Sequence, residues 1–541
     1  MASPEVTADS VHTSVRGSDN DNGALEKQPV ADGVFAVNDA SDNASLHSAG
    51  GRTKKVTLTH KLVSVILVSL IGFGSHWSSG VTGAMKTALK AGMGINNTQY
   101  ALLDATNDFI KSVLIIVTGI YTDRLGGAST LVWGNLLFTA GSILVAAATT
   151  TRNFKFMLGA TVIQSLGDVA TQVAQYKVFS SWFAPSDGFA STLGFELGLG
   201  KIGSFIGQIS ANIIAKNMGD FSWTFWMSVV MNAFTNLVTV AFYLFTRWCN
   251  RHYSSGGKAD PATGEVLTES NRKVEWKQFA RLPWPFWTII MFTGFQTTTA
   301  SVFGTNATEL AEQRFHVSSI KAGFYSGLTQ YMGFFLVPLL GIFIDVLGQR
   351  LSVMMVCGTG MFLSMSLIMW AGTMSGTAAG FGFYAFAVSL GPTVIIDAIR
   401  TSMWYQDVFG SAYAVKICLN NVMSIIMRIV TGVIQDHDND TYNHVIIVYV
   451  ILAAGSLLVG ICLVIGGTRW VSPVELGRLQ WSRKKRFAQG EQINAARKAF
   501  ETGERAVWNK RLSKFSLAAL FALTLGGWAC YFWGVATGHN D

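Results

Sequence analysis

GIYTDRLGG, residues 119–127, returns later in the same chain as GIFIDVLGQR, residues 341–350. Gly119, Asp123 and Gly126 become Gly341, Asp345 and Gly348, a constant displacement of 222 positions (341 − 119). The same offset carries Gly72-Phe73 onto Gly294-Phe295 and Trp182 onto Trp404. One ungapped register joining separated places marks two halves of common descent. In each turn glycine allows a tight reversal. The aspartate can accept hydrogen bonds from a facing helix N-terminus, whose dipole favours an anion.

Composition says where such halves reside. Of 541 residues, 50% are hydrophobic and only 13% charged, against about 25% charged in soluble domains. Fifty-five glycines and nine prolines suit closely packed membrane helices. Apolar windows of about 20 residues, enough to cross a ~30 Å hydrocarbon core, recur twelve times between residues 61 and 466, and a thirteenth runs from Phe515 to Thr537. The expected fold is therefore an all-α polytopic membrane protein. Residues 1–60 form a polar N-terminal tail, expected to be disordered, with no signal peptide. Residues 61–248 are the first six-helix half, 249–283 a polar linker and 284–466 the second half. A basic amphipathic segment, 467–514, expected on the cytosolic leaflet, precedes the extra span at 515–541.

Orientation follows from the basic residues. Arg52, Lys54, Lys55 and Lys61 precede the first window, Arg247, Arg251, Arg272, Lys273 and Arg281 fill the linker, and Arg483 to Arg486 follow the twelfth window. Both ends of the twelve-helix core are thus expected in the cytosol, although Lys86, Lys90 and Lys321 fall on the other side. The sequons at Asn96, Asn306 and Asn439 fall in loops assigned to that opposite side and are expected to be glycosylated. The net charge of +8 belongs to this arrangement, and nucleic acid is excluded as a partner. Five scattered cysteines without a CxxC pair support neither a metal site nor a disulfide framework. No nucleophile–base set and no Walker A run is present, so neither an enzyme nor an ATP-driven machine is indicated, and no cofactor is expected.

Twelve helices in two halves, with GIYTDRLGG and GIFIDVLGQR at equivalent turns, resemble the major facilitator superfamily over roughly residues 61–466. The resemblance implies transport by alternating access and a cytosolic gate latch involving Asp123, Arg124 and Asp345. Gly127 and Ala128 stand where family members usually carry further basic residues, and Val346 replaces the arginine in the second copy, which implies a weaker latch. A narrower resemblance lies in GDVATQVAQYKVFSSWF (Gly167–Phe183) and LGFELGLGKIGSFIG (Leu193–Gly207). These are similar to the branch containing the lysosomal dipeptide uniporter of animals. That branch keeps a substrate-binding arginine where this chain has Lys201. Its helix 4 glutamate falls on Val169, beside Asp168.

Ionisable residues inside membrane helices are expensive and mark function. Asp104, Asp108 and Lys111 share one helical face, with Asp108 and Lys111 placed to pair. Asp168, Thr171, Gln172 and Gln175 form a second polar stripe. Lys201 and Glu196 are about 140° apart on their helix, so Lys201 needs a partner elsewhere, and Asp168 is the expected one. Gly194, Gly198, Gly203 and Gly207 read as helix-packing positions. Lys201, Asp168, Gln172, His76, Gln296, Tyr325 and Asn420 are the candidate substrate-binding residues, and Asp397 with Arg400 a candidate gate pair.

The sequence thus points to a secondary transporter of a small polar organic solute, with dipeptides or amino-acid-like compounds implied by the resemblance. Alternatives are an exporter of organic anions or toxic metabolites and a nutrient-sensing receptor built on a transporter fold. Expected partners are the solute, the lipid bilayer, protons where transport is coupled, and, as an open option, an accessory membrane glycoprotein. A vacuolar or lysosomal membrane follows from the resemblance, with the plasma membrane as alternative.

Overall fold

A computed structural model describes residues 54–55, 58–254, 260–262, 282–405, 408–467, 474–503 and 505–537. The expected N-terminal tail and most of the linker lie outside the described residues, as do the side chains of Asp123, Arg124 and Trp182.

A two-residue strand β1 (Lys54–Lys55) pairs in parallel with β2 (Tyr253–Ser254). Among the described residues, everything else of size is helical. The first span consists of α1 (Leu58–Ile71) and α2 (Phe73–Ala84), interrupted at Gly72. After the short α3 (Lys86–Met93) come α4 (Asn97–Leu125), α5 (Gly127–Thr150), α6 (Phe154–Trp182), α7 (Phe189–Met218) and α8 (Ser222–His252). The second half contains α9 (Trp284–Phe315), α10 (Ser319–Leu347), α11 (Arg350–Trp370), α12 (Met374–Ser402), α13 (Phe409–His437) and α14 (Asn443–Ile465). A single 3₁₀ turn (Gly477–Leu479), α15 (Arg483–Ala488) and α16 (Gly490–Thr502) lead into α17 (Arg505–Thr537). The chain is an all-α polytopic protein of two six-helix halves with an additional C-terminal membrane helix.

Among the described residues, nine spans are both long and apolar enough to cross a membrane. The remaining four, α4, α6, α7 and α9, have 29, 29, 30 and 32 residues, about 43–48 Å at 1.5 Å per residue. They have the length and lack only the apolarity: α4, α6 and α7 carry Asp104, Asp108, Lys111, Asp168, Glu196 and Lys201, and α9 carries the polar run Gln296–Thr299.

The ends of the bundle are named here by the orientation expected from sequence: inner for cytosolic, outer for the opposite. The repeated turns lie at the inner end. Gly126 (φ +83°) ends α4 and Gly348 (φ +76°) ends α10, both in a backbone region that favours glycine. Two cross-half pairs join the halves. In one, α7 and α10 pack along their length. An ideal Cβ on Gly194 would sit 2.7 Å from the Val337 carbonyl, and one on Gly341 only 2.4 Å from that of Ala190. In the other, α4 packs on α13. Gly203 and Gly207 serve a different neighbour, approaching the backbone of Phe73 and Trp77 in the first span. The glycine steps of α7 are thus packing positions on two faces.

Apolar packing differs between the ends. At the outer end each half has its own core, around Trp77, Val81 and Phe225 in the first and Phe303, Met361 and Tyr449 in the second. At the inner end one cluster runs through both halves, with Phe179, Phe189 and Leu193 packed among Ile344, Val394 and Phe409. Helix α17 lies across the α4–α13 seam: Tyr531 stacks on Phe109 at 4.6 Å and hydrogen-bonds Thr106 at 3.0 Å.

Candidate functional site

Three layers of polar contacts join the halves. At the outer end, Lys86 is buried in the second half. Its ammonium lies 2.7 Å from Glu309 Oε2 and donates to Asn306 Oδ1 at 2.8 Å and Gln435 Oε1 at 3.0 Å. Lys90 approaches the other Glu309 oxygen at 3.2 Å. Nearby, Asp436 of α13 accepts from the backbone N–H groups of Asn97 and Thr98, both at 3.0 Å, at the start of α4. Asn96 forms a capping box with Gln99 at that helix start, and Asn439 is exposed in a turn at φ +51°. Asn306 is otherwise: helix α9 runs past the apolar window and buries this side chain against Lys86, Tyr449 and the Val302 carbonyl. The expected glycosylation of Asn306 is therefore corrected, since an asparagine inside a helix and in the core offers no acceptor surface.

Toward the membrane centre, Arg428 of α13 is held by two carboxylates of α4. Its Nη1 donates to Asp104 and its Nε to Asp108, each at 2.9 Å, while Nη1 and Nη2 also reach Thr305 and Ser301 of α9 at 2.7 and 2.8 Å. The expected Asp108–Lys111 pairing is not formed. Lys111 instead pairs with Asp168 at 2.6 Å. This also corrects the expected Asp168–Lys201 bridge, because Asp168 is already neutralised within its own half. Lys201 reaches across to the second half and donates to Gln330 Oε1 at 2.7 Å, and among the described residues it has no carboxylate within ion-pair distance.

The other candidates divide by position. His76 lies against α7: Ser204 donates to its backbone carbonyl at 3.1 Å, and only the bare Gly200 leaves room for its ring. Its charged neighbours are Lys201, Asp168 and Lys111, which places it in the same central layer. Gln172 reaches Tyr176, one helical turn on. Gln296 is buried where Gly391 makes space for it, and Asn420 is hydrogen-bonded to Thr293 at 3.3 Å. Tyr325 departs from expectation. It is 41% exposed, near the outer start of α10, with its ring 5.0 Å from Phe315, so it is not part of the central layer.

At the inner end, Asp345 behaves as its place in the repeat suggests. Its Oδ2 accepts from Ser191 N at 2.8 Å and Ser191 Oγ at 2.6 Å, in the first turn of α7. The expected Asp397–Arg400 pair is replaced by two separate contacts. Asp397 pairs with Arg350, the last residue of the second repeat, and both are fully buried. Arg350 also donates to Ser186 of the first half at 3.0 Å. Arg400 donates to the Ser180 carbonyl at 2.9 Å and lies 4.1 Å over the Phe189 ring. Both arginines therefore cross between halves.

The segment after the twelfth span docks onto this layer. Gln480 Oε1 accepts from Leu351 N at 3.1 Å, Arg478 donates to the Ser402 carbonyl at 2.6 Å and lies 3.6 Å over Trp404, and Arg483 pairs with Asp187 at 2.6 Å. Arg486 is buried against Asp260 at 3.0 Å. Desolvation drives the Arg486 guanidinium below its usual range, only partly offset by the Asp260 carboxylate. The expected leaflet-bound segment thus spends at least three of its basic residues, Arg478, Arg483 and Arg486, on protein contacts.

Sequence reasoning passed over Arg428 and Arg350. Arg428 sits within an apolar window that otherwise holds only one cation, Lys416, a signal that could have been caught. Arg350 ends the quoted repeat itself.

Known proteins resemble the chain at two levels. The Major Facilitator Superfamily matches residues 68–414. The lysosomal dipeptide transporter MFSD1 of Mus musculus is 23% identical over 449 residues, covering 79% of this chain and 90% of the relative. Its Homo sapiens counterpart is 22% identical over 397 residues, covering 70% and 81%. That of Danio rerio is 21% identical over 393 residues, again covering 70% and 81%.

Proposed function

The chain belongs to the Major Facilitator Superfamily, and on that premise we propose that it carries dipeptides or similar amino-acid compounds across a vacuolar or lysosomal membrane by alternating access. The observation that carries this reading is Lys201. It is a cation twelve residues past Phe189, the start of α7, about 18 Å into the membrane. It contacts the opposite half through a neutral amide rather than a carboxylate. A buried cation without a fixed countercharge is costly, and a solute carboxylate arriving between the halves supplies one. Asp168, His76 and Gln172 line the same layer from the first half, and Gln296 and Asn420 contribute from the second. The names of the relatives support the dipeptide class. Lysine in place of the arginine implied by the resemblance changes the grip from a bidentate fork to a point charge, so selectivity differs from the relatives'.

Asp345, together with Asp397–Arg350 and Arg400, gates the inner end in this reading. Purified protein reconstituted into liposomes tests it. Uptake of alanyl-alanine is expected for the unmodified chain, loss of uptake for Lys201→Ala with its fold retained, and partial uptake for Lys201→Arg. Binding without flux would establish the receptor reading instead. Normal uptake by a stable Lys201→Ala protein would remove Lys201 from the site.

A further inference from the structure

Most charges in the membrane layer have an opposite charge beside them: Asp104 and Asp108 share Arg428, Asp168 holds Lys111, and Glu309 holds Lys86. Besides Lys201, two lack one among the described residues, Glu196 of α7 and Lys416 of α13. Glu196 is only 3% exposed and its Oε2 accepts no hydrogen bond. Lys416 has an aromatic neighbour instead of a carboxylate, its ammonium lying 5.6 Å from the centre of the Tyr413 ring.

These two groups are counterparts. Glu196 stands seven residues past Phe189, where α7 begins, and Lys416 seven past Phe409, where α13 begins. Both helices are the fifth of their half, and both start at the inner end. At 1.5 Å per residue each side chain is attached about 10 Å into the membrane, one to two turns on the inner side of Lys201. A tyrosine pair connects them. Tyr413, one turn before Lys416, meets Tyr176 of the first half with ring centres 4.9 Å apart, edge to face. Glu196 is the carboxylate whose charge acts on both tyrosines. It lies beside Gly72, the break in the first span, where an ideal Cβ would be in ordinary contact with Glu196 Oε1 at 3.5 Å. Lys416 shares its helical face with Tyr413 and Asn420, and Asn420 is bonded to Thr293 of α9. That face is therefore turned into the bundle and away from lipid.

We propose that Glu196 and Lys416 form a second solute subsite, on the inner side of Lys201, which holds a zwitterion with its ammonium group on Glu196 and its carboxylate on Lys416. The Tyr176–Tyr413 pair packs against the uncharged part between the two ends. An unpaired carboxylate on one half and an unpaired ammonium on the other are complementary to a molecule with both charges at a fixed separation. A purely anionic solute would leave Glu196 unmatched. The subsite serves the stage at which solute is captured from or released to the inner side. This inference rests on the proposed transport of amino-acid compounds and narrows it to solutes with both ends free.

The test uses full-length reconstituted protein and three probes: alanyl-alanine, its N-acetyl form and its C-terminal amide. Competition against labelled alanyl-alanine uptake gives two preference ratios, and thermal shift gives the same ratios for variants that do not transport. Charge-assisted hydrogen bonds are the strong class, and each ratio is expected to be on the order of tenfold. In Glu196→Gln the preference for the free amino end should fall toward parity while the preference for the free carboxylate remains. Lys416→Gln should show the converse. Glu196→Asp and Lys416→Arg, which keep the charges, should keep most of each preference. Uptake with both ratios unchanged in the neutral variants would overturn the subsite and leave the transport reading intact. Equal loss in the charge-keeping and neutral variants would also overturn it, by showing a packing role. A wild-type protein that neither binds nor moves any of the probes would overturn both readings.

Discussion

At the outer end Asp436 of α13 caps the N-terminus of α4, and at the inner end Asp345 of α10 caps the N-terminus of α7. In each case a carboxylate of the second half holds a helix of the first, an arrangement favoured by the helix dipole. What surrounds each cap differs. Asp436 is solvent-exposed, with both oxygens engaged, and its neighbourhood is held by charge, Lys86 and Lys90 against Glu309. Asp345 is 4% exposed, its Oδ1 accepts nothing from the described residues, and its neighbourhood is one apolar cluster shared by both halves with the C-terminal segment docked over it. Outer closure thus depends chiefly on a few strong side-chain pairs, whereas inner closure distributes its stability over packing, backbone contacts and an added strap. Charges separate with little loss of apolar burial once each finds water. A shared core must be split to open.

The comparison is broken most severely at Lys86. Removing one member of a buried pair costs about 3–5 kcal/mol, because the other charge is left uncompensated. Lys86→Met should therefore lower the melting temperature and open the outer end, seen as increased maleimide labelling of a cysteine placed at Ala101, near the outer start of α4. Lys90 still reaches Glu309 at 3.2 Å, so Lys86→Met with Lys90→Met should be worse than the single variant. Combining Lys86→Met with Glu309→Met should recover much of the loss. A single variant as stable as wild type would show that charge does not hold the outer end.

The two caps give the next contrast. Removing a charge at a helix N-terminus costs about 0.3–1 kcal/mol when exposed and up to about 2 when partly buried. Asp345→Asn should therefore shift the chain toward the inner-open state more than Asp436→Asn shifts it toward the outer-open state. The measurements are labelling of a cysteine at Leu193, buried in the shared inner cluster, and of the Ala101 position. Equal shifts would mean that burial does not distinguish the caps.

Much of this architecture was legible in the chain. The 222-residue register placed Asp345 at a helix end facing a helix start, and the glycine steps of α7 were legible as packing positions. The partners of the charges were not. Helical periodicity gives the face a residue occupies, not which helix it meets or at what depth. Asp168 and Lys201 were both correctly internal, yet Asp168 turns to Lys111 and Lys201 to Gln330. Asp104 and Asp108 answer to Arg428, more than 300 residues away. Asp397 and Arg400 lie three residues apart on one helix and still point to different partners. Asn306 failed for a simpler reason: α9 extends about three turns beyond the apolar window that ended at residue 304, and carries the sequon into the fold.

The repeated turns offer a finer cut, since among the described residues one copy is covered and the other is not. An ideal Cβ on Gly348 would lie 2.1 Å from the Trp481 carbonyl, whereas one on Gly126 would meet nothing within 4 Å among the described residues. Both glycines have positive φ, so alanine is strained at either site, on the order of 1 kcal/mol. Only Gly348→Ala must also displace backbone of the docked segment. It should lose more thermal stability than Gly126→Ala and make the tail sensitive to limited proteolysis between Glu475 and Ala488. If both substitutions cost the same and neither exposes the tail, the segment is not seated on the second turn as described.

The smallest effect is expected at Arg483, which ties the docked segment to the first half through Asp187. The segment's contacts through Arg478, Leu479 and Gln480 are on the second half, and Arg486 is held by Asp260 of the linker. Opening the inner end parts the halves, so contacts confined to the second half survive and the Arg483–Asp187 pair does not. The Arg483 side chain is 46% exposed, and exposed pairs are worth roughly 0–1 kcal/mol. Arg483→Ala should therefore leave the melting temperature almost unchanged while raising Leu193-site labelling by at most about fivefold. The difference between variant and wild type should shrink as salt is raised, because the pair is screened. Asp345→Asn, whose carboxylate is buried, should keep its effect in the same salt series. A labelling change at Arg483→Ala that persists at high salt would assign the strap's hold on the first half to something other than this ion pair.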